Sequence, residues 1–141
     1  MTVKVVLVDQ ARVDGRAMTI HPIFRVIIAG SRGFCDYYRL TVVCDKLLQE
    51  ITKSRQITVI SGGANGVDSL GEHYAQKRGY ALILFPAKWE QYGKAAGPIR
   101  NRQMADNSDA LIAFWDGQSP GTRNMIVEAT GKGIEVRIIK V

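Results

Sequence analysis

An alternation constrains this chain more than any other feature. Short apolar runs recur between amphipathic segments, and several of the runs stop at glycine or proline. The runs are FRVIIAG (24–30), ITVI (57–60), YALILF (80–85), DALIAFW (109–115) and IEVRIIKV (134–141). Between the first two, residues 36–53 place Leu40, Val43, Cys44, Leu47, Leu48 and Ile51 at helical spacing. That spacing predicts an amphipathic helix, with Asp36 as its N-terminal cap. Residues 66–79 put Val67, Leu70, Tyr74 and Ala75 on one helical face, and Gly79 suits the C-terminal cap. A turn-rich stretch, 87–97, leads into a helix with Pro98 in its first turn, and a last helix precedes the final run.

Runs this short and this apolar belong to strands buried on both faces. Joined through helices by right-handed crossovers, they predict an α/β fold: a Rossmann-like, doubly wound, mostly parallel sheet of about five strands. The repeat occupies residues 23–141. Residues 1–22 stand outside it and read as an N-terminal extension, which adds a strand or hairpin or serves a subunit contact. The chain has 141 residues, enough for one core. Its 46% apolar and 23% charged residues set it apart from disordered sequences. No apolar run is long enough to span a bilayer. The opening MTVKVVLVDQ is interrupted by Asp9, a poor match to a secretory signal. Cys35 and Cys44 make neither a disulfide scaffold nor a complete metal site. The expectation is a cytoplasmic protein in a reducing compartment, with no membrane contact, metal or cofactor.

A formal charge of +6 favours anionic ligands. In an open α/β sheet, ligands bind outside the carboxyl ends of the strands. Here those ends are Gly30-Ser31-Arg32-Gly33, Ser61-Gly62-Gly63-Ala64-Asn65-Gly66, Pro86-Ala87-Lys88-Trp89 and the loop from Asp116 to Thr122. Three of the four are rich in glycine and lead into a helix, whose free N–H groups attract phosphate. Arg32, Lys88, Lys94, Arg100, Arg102 and Arg123 collect at the same edge. Asp68 and Glu72, four apart on one helix, either complement its dipole or order the pocket. Trp89 and Tyr92 either stack on a base or cap the sheet edge. There is no G-x-x-x-x-G-K-[ST] and no G-x-G-x-x-G, so neither a P-loop nor an ordinary dinucleotide fingerprint is present.

Together, IIAGSRGF, VISGGANGVDSLGEHYA and AKWEQYGKAAGPIRNRQMADNSDALIAFWDGQSPGT resemble the SLOG superfamily, and more narrowly its small YspA-type, YpsA-related members from bacteria and phages. The resemblance spans residues 24–141 and implies a Rossmann-like fold that binds nucleotides or nucleotide-derived ligands, with dimers common. Two better-understood relatives point in different directions. LOG phosphoribohydrolases carry an arginine-lysine pair, then P-G-G-x-G-T-x-x-E. Arg100 matches the arginine, Asn101 replaces the lysine, Gly117, Gly121 and Thr122 keep part of the loop, and Met125 replaces the catalytic glutamate. The phosphate cradle is kept and the LOG carboxylate is lost, unless Glu72 or Asp68 substitutes. DNA-processing protein A, which binds single-stranded DNA, carries S-G-x-A-x-G-I-D, similar to Ser61 through Asp68.

The expected ligand site therefore comprises Gly30, Ser31, Arg32, Ser61, Gly62, Gly63, Ala64, Asn65, Gly66, Asp68, Trp89, Arg100, Gly117, Gly121 and Thr122. Arg100 is expected on phosphate and Trp89 or Tyr92 on the base. The expected function is nucleotide sensing or sequestration. N-glycosidic hydrolysis through Glu72 or Asp68, and single-stranded DNA binding, are the alternatives. A homo-oligomer is the expected assembly.

Overall fold

The computed structural model describes residues 4–6, 21–64 and 66–141. Six strands form one sheet: β1 (Lys4–Val6), β2 (Ile23–Gly30), β3 (Gln56–Ser61), β4 (Ala81–Leu84), β5 (Ala110–Trp115) and β6 (Glu135–Lys140), in the order β1-β4-β3-β2-β5-β6. β2 through β6 are mutually parallel, and β1 pairs antiparallel with β4. The five-stranded parallel sheet is as expected. A short antiparallel edge strand from the N-terminal extension is added to it.

Helices cover both faces because the strands alternate their side chains. Val26 and Ile28 of β2 join a core with Leu40, Cys44 and Leu48 of α1 (Tyr37–Leu48) and Val67, Tyr74 and Ala75 of α2 (Val67–Arg78). Ile27 and Ala29 point the other way. They pack with Met104 and Ala105 of α4 (Ala96–Asp106) and with Met125 and Ala129 of α5 (Pro120–Lys132). The predicted caps form: the Asp36 carboxylate accepts from the Arg39 N–H at 3.0 Å, and Gly79 closes α2 at φ +70°. The turn-rich stretch resolves into a single helical turn, α3 (Trp89–Tyr92), and a 3₁₀ turn (Gly93–Ala95). The long amphipathic segment breaks after Leu48 and ends in a 3₁₀ turn at Ile51–Lys53.

Two features of this fold position the site. The chain order of the parallel strands reverses between β2 and β5, which sets the crevice of a doubly wound sheet at that point. Helix α2 also seats very close to the sheet. A Cβ on Gly71 would stand 3.0 Å from the Ile28 side chain, so glycine there lets the helix start directly behind the Ser61–Gly66 loop.

Candidate functional site

All four loops of the expected site end at the carboxyl edge of the sheet, but they divide into two groups. At the crevice between β2 and β5 the two loops are tied to each other. The Ser31 N–H donates to the Phe114 carbonyl at 2.9 Å, and the Ser31 hydroxyl accepts from the Asp116 N–H at 3.0 Å. The Ser31 and Ser119 hydroxyls lie 3.1 Å apart. Asp116 in turn accepts from the N–H groups of Gln118 (2.8 Å) and Ser119 (2.7 Å) and from the Ser119 hydroxyl (2.8 Å). These bonds, the backbone ones first, hold its carboxyl down at about 2. A carboxylate of the protein thus occupies the donors just before α5, where a ligand phosphate was one expectation. Gly30 adjoins this packing, since a side chain there would run into the Phe114 backbone.

The open space lies on the other side, beyond β2, β3 and β4. A cleft of about 390 Å³ is lined by Arg32, Gly62, Gly63, Ala64, Trp89 and Arg100, with β4 and the Pro86-Ala87 turn at its back. Four of these residues come from two of the predicted glycine loops. The other two come from the segment after β4, so three crossovers converge on one cleft. Among the described residues, no carboxylate lines it. Trp89 is 55% exposed and its ring edge lies over Gly97.

The glycine loop is held open from below. Gly66 has φ +82°, and a Cβ there would collide with the backbone of Arg32, which locks the first loop against the second. The Ser61 hydroxyl donates to Glu72 at 2.9 Å and accepts from the Gly63 N–H at 3.1 Å. Asp68, buried, accepts from the Ala64 N–H at 3.1 Å. Burial pushes the Asp68 carboxyl up to about 6, against the Ala64 bond and the positive charges of Arg100 and Arg32. Ser61, Gly66, Asp68 and Glu72 therefore shape the loop from beneath and do not line the cleft. Asn65 lies outside the described residues.

Arg100 reaches this loop from α4. Its Nη1 donates to the Gly62 carbonyl at 2.7 Å and its Nε to Asn101 Oδ1 at 3.0 Å. Asn101 is buried, and its amide donates to Asn124 Oδ1 (2.9 Å) and to the Gly121 carbonyl (3.3 Å). Gly121 thus reaches Arg100 only through this relay, and neither Gly121 nor Thr122 lines the cleft. Thr122 is buried, and Gly117 sits at φ +83° in the Asp116 turn. Burial lowers the proton affinity of Arg100 and Asp68 opposes the shift; guanidinium nonetheless keeps its charge. Met125 lies in the core, 1% exposed. Arg102 pairs with Glu128 at 3.2 Å, and Arg123 lies over the Trp115 ring, 5.6 Å from its centre. Of the basic residues gathered at this edge, Arg32, Lys88 and Arg100 line open clefts.

Sequence reasoning did not identify Asn101 as the support of Arg100, nor Asp116 as the acceptor that closes its own turn. Asn101 had one available signal: it directly follows the arginine of the motif. Asp116 had a local one, since its carboxylate binds Gln118 and Ser119 two and three residues on. Only the bond from its N–H to Ser31, 85 residues away, could not be read.

The fold and its glycine loops define a Rossmann-like SLOG protein. The chain belongs to the YspA, cpYpsA-related SLOG family, whose sequence profile matches residues 24–92. It is 38% identical over 119 residues to the Gene 61 protein of Mycobacterium phage D29, across 79% of this chain and 93% of the relative. Solved structures share the fold at lower identity. The structural-genomics protein TM1055 matches at TM-score 0.55 and 20% identity, over 83% of this chain and 72% of that one. DNA processing protein A of Helicobacter pylori, solved to show a single-stranded DNA binding mode, matches at 0.57 and 18%, over 82% and 64%. The Streptococcus pneumoniae protein of the same name matches at 0.61 and 18%, over 86% and 51%. Among the described residues, no helix is long and apolar enough to cross a membrane.

Proposed function

We propose that this protein binds a nucleotide or nucleotide-derived phosphate ligand in the cleft between Arg32, the Gly62-Gly63-Ala64 backbone, Trp89 and Arg100, as a sensor or sequestering protein. One observation carries the reading: the cleft brings two arginines and a bare glycine backbone together and, among the described residues, holds no carboxylate in its lining. Such a site attracts phosphate by charge and by geometry. Its volume is within the range of small-ligand pockets, about 300–1,000 Å³. Trp89 offers a face on which a base stacks. Phosphate is held by Arg32, Arg100 and the 62–64 backbone. The Gly121 carbonyl and Asn124 support Arg100 through Asn101.

Hydrolysis of an N-glycosidic bond has less support. Asp68 and Glu72 are engaged beneath the loop, and Met125 stands where the LOG family has its glutamate. Single-stranded DNA binding is a second reading. It is favoured by the exposed Trp89 and Tyr92 near Arg100 and by the DNA processing protein A likeness.

The deciding experiment is native mass spectrometry of the protein as purified, followed by denaturation and identification of any released molecule. A bound nucleotide supports the proposal. An empty protein is titrated with nucleoside monophosphates and with oligonucleotides of increasing length. Affinity that grows with strand length and falls steeply with salt supports the DNA reading instead. Release of free base supports a hydrolase. If Arg100→Ala leaves every affinity unchanged, the proposed site is wrong.

A further inference from the structure

Arg100 is a wall shared by two clefts. Beyond it lies a smaller space of about 130 Å³, lined by Pro86, Lys88, Tyr92, Ile99, Arg100 and Gln103. Pro86 and Arg100 border both spaces, so the two lie side by side at these residues. Two of the Arg100 donors are spent on Gly62 and Asn101, and the remaining N–H groups of the guanidinium are left over.

The chemistry of the smaller cleft is cationic and polar. Lys88 is half-buried and makes no ion pair among the described residues. Gln103 and Tyr92 add side-chain donors, and again no carboxylate lines the space. The volume is below that of ordinary ligand pockets. It equals the liquid volume of about four waters, at about 30 Å³ each. That is room for a tetrahedral oxyanion with its hydration, and too little for a second nucleoside.

We infer that this smaller cleft is a subsite for a second phosphate group of the ligand, held by Lys88 and Gln103 with Arg100 between the two phosphates. The inference rests on the nucleotide reading above and narrows its ligand class to nucleotides with more than one phosphate. The second phosphate comes either from a diphosphate chain or from a separate ribose position. Both supply the same tetrahedral dianion to Lys88.

Isothermal titration of the full chain tests this with three probes for each of the adenosine, guanosine, cytidine and uridine series: the 5′-monophosphate, the 5′-diphosphate and the 3′,5′-bisphosphate. A second phosphate is expected to tighten binding about tenfold or more, the scale of one added charge-assisted contact. The better of the two doubly phosphorylated probes identifies the source of that phosphate. Lys88→Ala is expected to abolish the gain while leaving monophosphate affinity unchanged, and Lys88→Arg to restore it. Monophosphate binding with no gain from either second phosphate overturns the subsite and spares the nucleotide reading. So does a Lys88→Ala loss equal for all three probes. Failure of every probe to bind overturns both.

Discussion

Arg100 Nη1 donates to the Gly62 carbonyl at 2.7 Å, tying helix α4 to the glycine loop across 38 residues. The bond exists because Gly62 has no side chain. A Cβ there would stand 2.6 Å from Nη1 and 2.9 Å from Cζ. The guanidinium is thus placed against the loop backbone, with its remaining N–H groups beside the cleft where the proposed phosphate would bind.

Gly62→Ala is expected to displace the guanidinium without unfolding the chain, because the two closest atoms are the far end of the Arg100 side chain and the third, Asp68 Oδ2 at 3.1 Å, needs to give only a few tenths of an ångström. Nucleotide affinity should drop about tenfold, the value of one charge-assisted contact. Thermal stability should change little. Titration calorimetry beside a melting curve checks both, and unchanged affinity would sink the role given to Arg100.

Gly66→Ala should behave oppositely. The new Cβ would meet Arg32 backbone, which cannot swing away, and φ is +82°. A loss of about 2–4 kcal/mol is expected from strain and steric conflict. Urea denaturation measures it. A loss under about 0.5 kcal/mol would show that the two loops are not locked together.

Asn101→Ala removes the buried amide between Arg100, Gly121 and Asn124. Leaving those partners unsatisfied should cost about 1–3 kcal/mol. Affinity should also fall, because Arg100 loses its Nε support. Comparison with Asn124→Ala separates the effects. That variant breaks one bond of the relay and leaves the Arg100 contact in place, so it should cost stability with little change in affinity.

The Asp68 carboxyl, pushed up to about 6 by burial, makes a definite pH signature. The folded state holds its proton more tightly than the unfolded chain, whose carboxyl titrates near 4. Stability from this group is therefore full below about pH 4 and is lost as pH rises through about 6. The loss is bounded by about 3 kcal/mol for a shift of about two units. Asp68→Asn keeps an acceptor for the Ala64 N–H and removes the titration. The difference between the two proteins in denaturation midpoint should open between pH 4 and 6. A constant difference across that window would contradict the buried, proton-retaining carboxyl.

Much of the fold was legible because the information was local. Apolar runs of the Phe24–Gly30 kind, spacing such as Leu40-Cys44-Leu48, and caps at Asp36 and Gly79 each depend on neighbours within a few turns. Boundaries moved where tertiary packing intervened. The first helix stops at Leu48, short of the apolar pattern's end at Ile51. The stretch 87–97 contains a helical turn that its glycines conceal. The site was half legible. Glycine loops and arginines marked the carboxyl edge of the sheet, where the cleft opens, but Ser31, Gly117 and Thr122 looked as available as Gly62 and Gly63. The structure gives Ser31 to Asp116 and buries Thr122.

By itself the sequence determined that this chain alternates strand and helix, and where glycine must stand at the strand ends. Hydrophobic period and backbone freedom are properties of a few consecutive residues. Only the tertiary structure decided which strand ends stay open. Strand order brings the Asp116 N–H to the Ser31 hydroxyl across 85 residues and ties the loops after β2 and β5 to each other. Packing of α4 brings Arg100 to Gly62 and opens the cleft beside it. A charged group reports its own sign to the sequence reader, but its partner depends on which segments the sheet sets side by side.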